Sequence, residues 1–245
     1  MKGWEFQPAR DLNLTGIERW RSLQREHGLF SSVARLVWWF LLRAAFYVWH
    51  RPVIIGREHL PLQPPFMLIA NHSSHLDALL LASLLPAKWR DKVSPVAASD
   101  TFFDKHATAA FAAWILNALA IRRRGVRSHD LSEMRDHLAR QGAIFIIFPE
   151  GTRSRSGEIQ TFKSGIGRLV AASSVPVVPC YLDGCFRACP PSARYSKPFR
   201  LTVKIGKPLV FQNAPDNRAG WDAIAQRLQR EVECLAEEYG AGGKE

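Results

Sequence analysis

Six short apolar runs, with helical patterns between and after them, most constrain what this 245-residue chain can fold into. The runs lie at 52–55, 66–70, 93–98, 143–148, 175–182 and 200–210 and are rich in Val, Ile and Phe. Each is bounded by Pro, Gly, Asp or Asn, as strands are. Helical patterns fall between them, near 75–85, 105–117, 129–141 and 164–174. A last one near 219–239 carries apolar residues three and four apart. Strands alternating with helices predict the α/β class: a mixed, largely parallel central sheet flanked by helices. Ligands in such folds collect beyond the carboxyl ends of the strands. Chemistry is therefore expected in the residues just after each run.

A hydrophobic share of 47% is ample for a packed core and excludes a chain disordered throughout. The net charge of +11 points to an anionic partner: nucleic acid, anionic lipid or a phosphorylated substrate. No RNA-binding aromatic motif or DNA-reading helix-turn-helix is recognisable, so no nucleic-acid partner is expected. The cysteines, Cys180, Cys185, Cys189 and Cys234, lack the spacing of a zinc ribbon and read as free thiols in a reducing compartment. The first 30 residues have no continuous apolar core, so no cleavable signal peptide is expected.

The segment SSVARLVWWFLLRAAFYVWHRP, 31–52, is dense in apolar and aromatic residues. Ser31 or Ser32 is the expected helix cap, and Pro52 discourages continuation. Arg35 and Arg43 interrupt it, so it lacks the uncharged run of about 18 residues that suits a membrane span. A helix lying in the membrane interface fits better, its arginine stems snorkelling to lipid phosphates. A helix packed against the domain is the alternative. Trp4, Trp20, Trp38, Trp39 and Trp49 all fall in the first 50 residues, and tryptophan favours the headgroup level. Gly16 to His27 reads as a partner helix. The chain thus divides into a membrane-associating helical segment at 1–50, an α/β domain at 51–212 and a C-terminal helix packed on it at 213–245. Its expected location is the cytoplasmic face of a membrane, with a lipid surface as partner.

After the run at 66–70 comes NHSSHLD, 71–77. The chain leaves a strand, passes Asn71 and His72 and enters a helix, with Ser73 or Ser74 as the expected N-cap. Asp77 falls in the first turn, where the helix dipole favours a carboxylate. His72 lies before the helix, within reach of Asp77. A carboxylate that accepts from one ring nitrogen fixes the tautomer and leaves the other nitrogen as a base. This is a Ser-His-Asp arrangement without its serine. No G-x-S-x-G elbow supplies one, and Ser73 and Ser74 are too close in sequence to His72 to serve. The substrate's own hydroxyl is one candidate for the missing nucleophile. No recognisable ligand set completes His72, His75 and Asp77, so no metal is expected. His75 is expected on the helix surface or behind the reacting groups. The structural alternative for His72 is a histidine that satisfies buried carbonyls.

The run at 143–148 ends in FPEGTRS, 148–154. A turn needs only the proline or the glycine, so Glu150 and Arg153 point to a charged ligand at the strand's end.

HSSHLD and FPEGTRS together resemble the glycerolipid acyltransferase superfamily, and within it the 1-acyl-glycerol-3-phosphate acyltransferases. An H-x-x-x-x-D pattern alone recurs by chance, whereas FPEGTRS is specific and the two in this order more so. The similarity covers roughly 50–210. LNALAIRRRG, 116–125, is similar to the second motif of that family, with Asn117 and Ala120 in place of its usual glycine and proline and Arg123 in place of its arginine. TFKSGIGRLV, 161–170, is similar to the lysine-glycine stretch that follows FPEGTRS. VPVVPC, 175–180, resembles the apolar fourth motif, which lines the acyl or acceptor side.

The resemblance implies an O-acyltransferase with His72 and Asp77 catalytic and no resident cofactor. Acyl-CoA or acyl carrier protein is the co-substrate and a lysophospholipid the acceptor. His72 would remove a proton from the glycerol-backbone hydroxyl of 1-acyl-glycerol-3-phosphate. The oxygen would attack the thioester without an acyl-enzyme, giving phosphatidic acid for phospholipid synthesis. Glycerol-3-phosphate, another lysophospholipid or an amino-lipid would use the same chemistry. A basic anionic-lipid-binding module without catalysis is the alternative from another class. Pro149 fixes the backbone and stops the ladder, and Gly151 permits close approach or a positive φ. Backbone amides beside Arg153 would then form a phosphate pocket. The expected phosphate-binding set is Glu150, Gly151, Thr152, Arg153, Arg123 and Lys163, with Glu150 orienting Arg153 or another cation. Asn71, Pro149 and Pro179 are expected to shape the motifs. Backbone amides near 151–153 are the candidate oxyanion donors.

Overall fold

A computed structural model describes residues 29–98, 117–121 and 128–242. Arg123, Trp4, Trp20, the Gly16–His27 stretch and nearly all of the helix expected at 105–117 lie outside the described residues.

The described strands are β1 (Val53–Ile55), β2 (Phe66–Ala70), β3 (Val93–Ala98), β4 (Leu119–Ile121), β5 (Ile144–Ile147), β6 (Val177–Asp183) and β7 (Thr202–Ile205). They form one seven-stranded sheet in the order β1-β7-β6-β2-β5-β3-β4. Every pairing is parallel except that of β6 with β7. The mixed, largely parallel sheet is as expected. The short β4 is an addition, inside the stretch read as the second motif. The described helices are α1 (Leu29–Ala45), α2 (Leu76–Leu84), α3 (Ser128–Gln141), α4 (Gly165–Val170), α5 (Cys185–Ala188) and α6 (Arg218–Gly242).

Helices cover both faces of the sheet, so all five residues of β2 are buried. Alternation sends Phe66, Leu68 and Ala70 to one core, with Leu80, Leu81 and Leu84 of α2 and Phe46. Met67 and Ile69 go to the other, with Leu138 of α3, Leu169 of α4 and Leu228 of α6. On that second face α4 and α6 touch backbone to backbone. A Cβ at Gly167 would sit 2.1 Å from the carbonyl oxygen of Trp221, so only glycine fits the crossing.

Ser31 and Ser32 lie inside α1, which begins at Leu29, so neither caps it. A π-helical turn, Phe46–His50, follows, and Arg51 closes it in the left-handed region before Pro52. The arginines of α1 do not snorkel outward. Arg35 is only 2% exposed and pairs with Asp91 at 3.3 Å. Arg43 donates to the Ser83 carbonyl at 3.0 Å and lies over the Trp39 ring. Packing α1 against the domain brings these acceptors within reach, and a guanidinium as buried as that of Arg35 needs such a partner. Burial pulls the Arg35 pKa down, and Asp91 opposes the shift. The other face of α1 is apolar: Val33, Val37, Phe40 and Leu41 are each more than half exposed, at helical spacing. Tyr47, Val48 and Trp49 extend this exposed surface. No helix among the described residues is long and apolar enough to cross a membrane.

Candidate active site

The parallel register of β2 and β5 builds the site. Phe66 lies opposite Ile144 and Ile69 opposite Ile147, a constant offset of 78. The offset persists beyond the sheet, where His72 meets Glu150 and His75 meets Arg153, each pair again 78 apart. Two motifs distant in sequence thus leave the carboxyl ends of adjacent strands side by side.

Asn71 starts the departure. Its buried amide donates to the Leu182 carbonyl at 3.0 Å and accepts from the Leu182 N–H at 2.8 Å. The side chain continues the β2–β6 ladder where the backbone turns away. His72 comes next, its Nδ1 2.9 Å from Oδ2 of Asp77. The same oxygen accepts the backbone N–H groups of Ser73 at 2.7 Å and Ser74 at 2.8 Å. Three donors on one oxygen of a fully buried carboxylate leave it little freedom to move. With Nδ1–H donating to Asp77, Nε2 is the nitrogen that accepts a proton. The ring is 21% exposed and can meet a substrate.

Neither Ser73 nor Ser74 is the N-cap, which falls on His75 without a side-chain cap bond. Ser74 is drawn elsewhere: its hydroxyl donates to the Cys189 carbonyl at 2.7 Å and accepts from the Leu76 N–H at 3.1 Å. Asp77 reaches back from the first turn to the Ser73 and Ser74 amides, which precede the helix. Cys185 is buried nearby, and burial, reinforced by the Asp77 charge, holds its thiol well above the usual range. It therefore stays protonated beside the carboxylate. Cys180 and Cys189 are also buried, Cys234 is exposed, and all four cysteines are free.

FPEGTRS wraps the histidine. The Phe148 ring stacks on the His72 ring, with centroids 4.0 Å apart and planes 14° apart. Pro149 is buried at the turn. Glu150 is 2% exposed, and its Oε1 accepts the His72 N–H at 3.0 Å. The Ser154 N–H donates to the His72 carbonyl at 2.7 Å. Both backbone groups of the histidine are thereby fixed from FPEGTRS. The expectation that Glu150 orients Arg153 is corrected: the strand register sets its carboxylate opposite the His72 amide. Burial raises the Glu150 pKa from 4.5 to about 7, with the His72 N–H opposing and Asp77 adding to the shift.

Gly151 has φ +74°, and a Cβ there would lie 2.6 Å from Nζ of Lys163. Glycine thus supplies a left-handed turn and room for that lysine to pass. The Gly151 N–H is already given to the Phe148 carbonyl at 3.0 Å, which removes it from the candidate oxyanion donors. Thr152 is exposed beside it. Arg153 donates from Nη1 to Nε2 of His75. Burial, and then the Arg153 and His72 charges, hold His75 below the usual imidazole range. Pro179 is buried within β6, its carbonyl accepting the Gly206 N–H at 2.8 Å.

Asn71, His72, Asp77, Glu150, Gly151, Thr152, Arg153 and Lys163 therefore converge at the ends of β2 and β5. Pro179 lies back in the sheet. The sequence reading gave no active role to His75, and none to Phe148 or Ser154 on His72. Only the register of the strands brings these three into place.

The description "Acyltransferase" belongs to a family model that matches residues 51–183. The 1-acyl-sn-glycerol-3-phosphate acyltransferase alpha of Bos taurus is 30% identical over 208 residues, covering 83% of this chain and 69% of that protein. A probable 1-acyl-sn-glycerol-3-phosphate acyltransferase of Mycoplasma pneumoniae is 28% identical over 223 residues, covering 86% of this chain and 79% of that one. Among solved structures, the 1-acyl-sn-glycerophosphate (LPA) acyltransferase PlsC from Thermotoga maritima superposes with a TM-score of 0.64 at 24% identity, covering 82% of this chain and 79% of that chain. With more than half of its length matched, including both motifs of the site, the chain belongs to the Acyltransferase family.

Proposed function

We propose that this protein transfers a fatty acyl group from an acyl thioester, acyl-CoA or acyl carrier protein, to the free hydroxyl of 1-acyl-glycerol-3-phosphate, yielding phosphatidic acid. The observation that carries the reading is the His72–Asp77 contact at 2.9 Å, set beside an arginine on the adjoining strand's exit. The acceptor follows from two supports. The relatives carry that activity in their names, and a guanidinium fork suits a phosphate.

Nε2 of His72 takes the hydroxyl proton as the oxygen bonds to the thioester carbonyl carbon. When the tetrahedral intermediate collapses, the C–S bond breaks and the thiolate takes the proton from His72. Asp77 stabilises the imidazolium between these steps. Arg153, with Lys163 beside Gly151 and Arg123 from the second motif, holds the phosphate so that the hydroxyl lies near the base. Positioning of this kind lowers barriers by as much as about 7–11 kcal/mol in intramolecular reactions. The apolar face of α1 rests on the membrane surface, on its cytoplasmic side, where acceptor and product reside.

Purified full-length protein in detergent, given labelled acyl-CoA and a panel of acceptors, tests the reading. Labelled phosphatidic acid from 1-acyl-glycerol-3-phosphate is expected. Labelling only of glycerol-3-phosphate, or of a lysophospholipid with a larger head group, would refute the acceptor.

A further inference from the structure

The stretch HSSHLD carries two imidazoles, and the mechanism uses one. We propose that His75 is a positioning residue: a neutral imidazole that accepts from the Arg153 guanidinium and so fixes where the acceptor's phosphate is held relative to His72. This rests on the assignment of Arg153 to phosphate in the preceding subsection.

The two histidines present opposite nitrogens to opposite partners. His72 gives Nδ1 to a carboxylate and His75 gives Nε2 to a guanidinium. An Nε2 that accepts requires the ring proton on Nδ1 and no positive charge. The charges acting on His75 are Arg153 and His72, which oppose its protonation, and Asp77, which favours it. The ring is exposed at the surface, and it is the contact with Arg153 that requires the neutral form, a direction that partial desolvation shares. Protonation would remove the lone pair and set two cations against each other. A guanidinium carries five N–H donors, of which His75 takes one.

The geometry has a consequence for specificity. His72 and His75 lie in one turn of chain, three residues apart. The base and the phosphate anchor are thus indexed to the same short, strand-tethered segment. Ordering a long arginine side chain costs conformational entropy in each productive encounter, and every contact made beforehand lowers that cost. His75 reduces that cost without touching substrate.

The test is steady-state kinetics with 1-acyl-glycerol-3-phosphate and acyl-CoA on His75→Leu, His75→Gln, Arg153→Ala and the His75→Leu/Arg153→Ala double variant. His75→Leu should raise the acceptor KM about ten-fold, the equivalent of one hydrogen bond to a charged group, while the donor KM stays within about two-fold. His75→Gln keeps an oxygen that accepts from Arg153 and should restore the acceptor KM to within about three-fold of wild type. In the Arg153→Ala background, His75→Leu should add nothing, since the partner is gone. Wild type should also lose acceptor affinity as pH falls below the usual histidine range, and His75→Gln should lose less on the same substrate. Should His75→Leu fail to fold, the pH profile of His75→Gln carries the test. An unchanged acceptor KM in His75→Leu, equal rises in both KM values, or a full His75→Leu effect without Arg153 would each overturn the proposal. If wild type acylates the phosphate-bearing acceptor, His72→Ala is inactive and His75→Leu behaves as wild type, only the His75 assignment falls. Absence of transfer to any phosphate-bearing acceptor would overturn both.

Discussion

Glu150→Gln separates the structural part of the site from its chemistry. Glu150 is buried and accepts the His72 N–H at 3.0 Å. Glutamine keeps an oxygen for that amide and removes the charge. Burial raises the glutamate pKa from 4.5 to about 7, so the folded protein binds this proton more tightly than the unfolded chain does. The stability this group contributes is therefore complete below pH 4.5, falls as the pH rises, and is lost once the pH passes about 7. At about 1.4 kcal/mol for each tenfold change in proton affinity, the ceiling is about 3 kcal/mol. Relaxation and water around the carboxylate reduce the expected value to about 2 kcal/mol. Urea unfolding of wild type and Glu150→Gln, in the same detergent at pH 4.5 and pH 8, reads the difference and cancels every other titration. The two proteins should have nearly equal stability at the lower pH, and the glutamine variant should be about 2 kcal/mol more stable at the higher. A gap that does not change with pH, or one that opens in the opposite sense, would refute the account of Glu150 as a buried, charge-penalised clamp.

Arg153→Ala, which removes the proposed phosphate anchor, should raise the acceptor KM by about 10–100-fold, the range for a hydrogen bond between charged groups, and the donor KM far less. A shift confined to the donor would move Arg153 to the thioester side. Phe40→Glu with Leu41→Glu puts charge on the exposed face of α1 and should weaken co-sedimentation with phosphatidylglycerol vesicles at least about ten-fold, given about 1.5–3 kcal/mol for each large apolar side chain buried. Unchanged sedimentation would refute a membrane role for this face of α1.

Much of the fold was legible because its signals are local. β2 and β3 span the residues their apolar runs marked, since Pro, Gly, Asp and Asn punctuate them. β4 was not, because three residues leave no pattern and the strand forms only by pairing with β3. His72 and Asp77 were legible for the same local reason: five residues across a helix start bring them together. What Glu150 and Arg153 touch was not legible. Their partners are fixed by the β2–β5 register, which depends on how two separated strands slide past each other. Glu150 three residues before Arg153 suggests that it orients the arginine, yet the register gives it the His72 amide. The arginines of α1 were misread on similar grounds. An aromatic-rich helix with two cations does not tell which face meets the protein. Here the cations go inward to Asp91 and the Ser83 carbonyl, and the apolar stripe goes outward.

The account turns on the imidazole of His72 as the base. Single-turnover acyl transfer from labelled acyl-CoA to 1-acyl-glycerol-3-phosphate, compared between wild type and His72→Ala at matched folded concentration, tests it most directly. A loss of at least about 10²–10⁴-fold in rate, with the fold intact by circular dichroism, is the predicted result. A variant that still transfers the acyl group within a few-fold of wild type would contradict it.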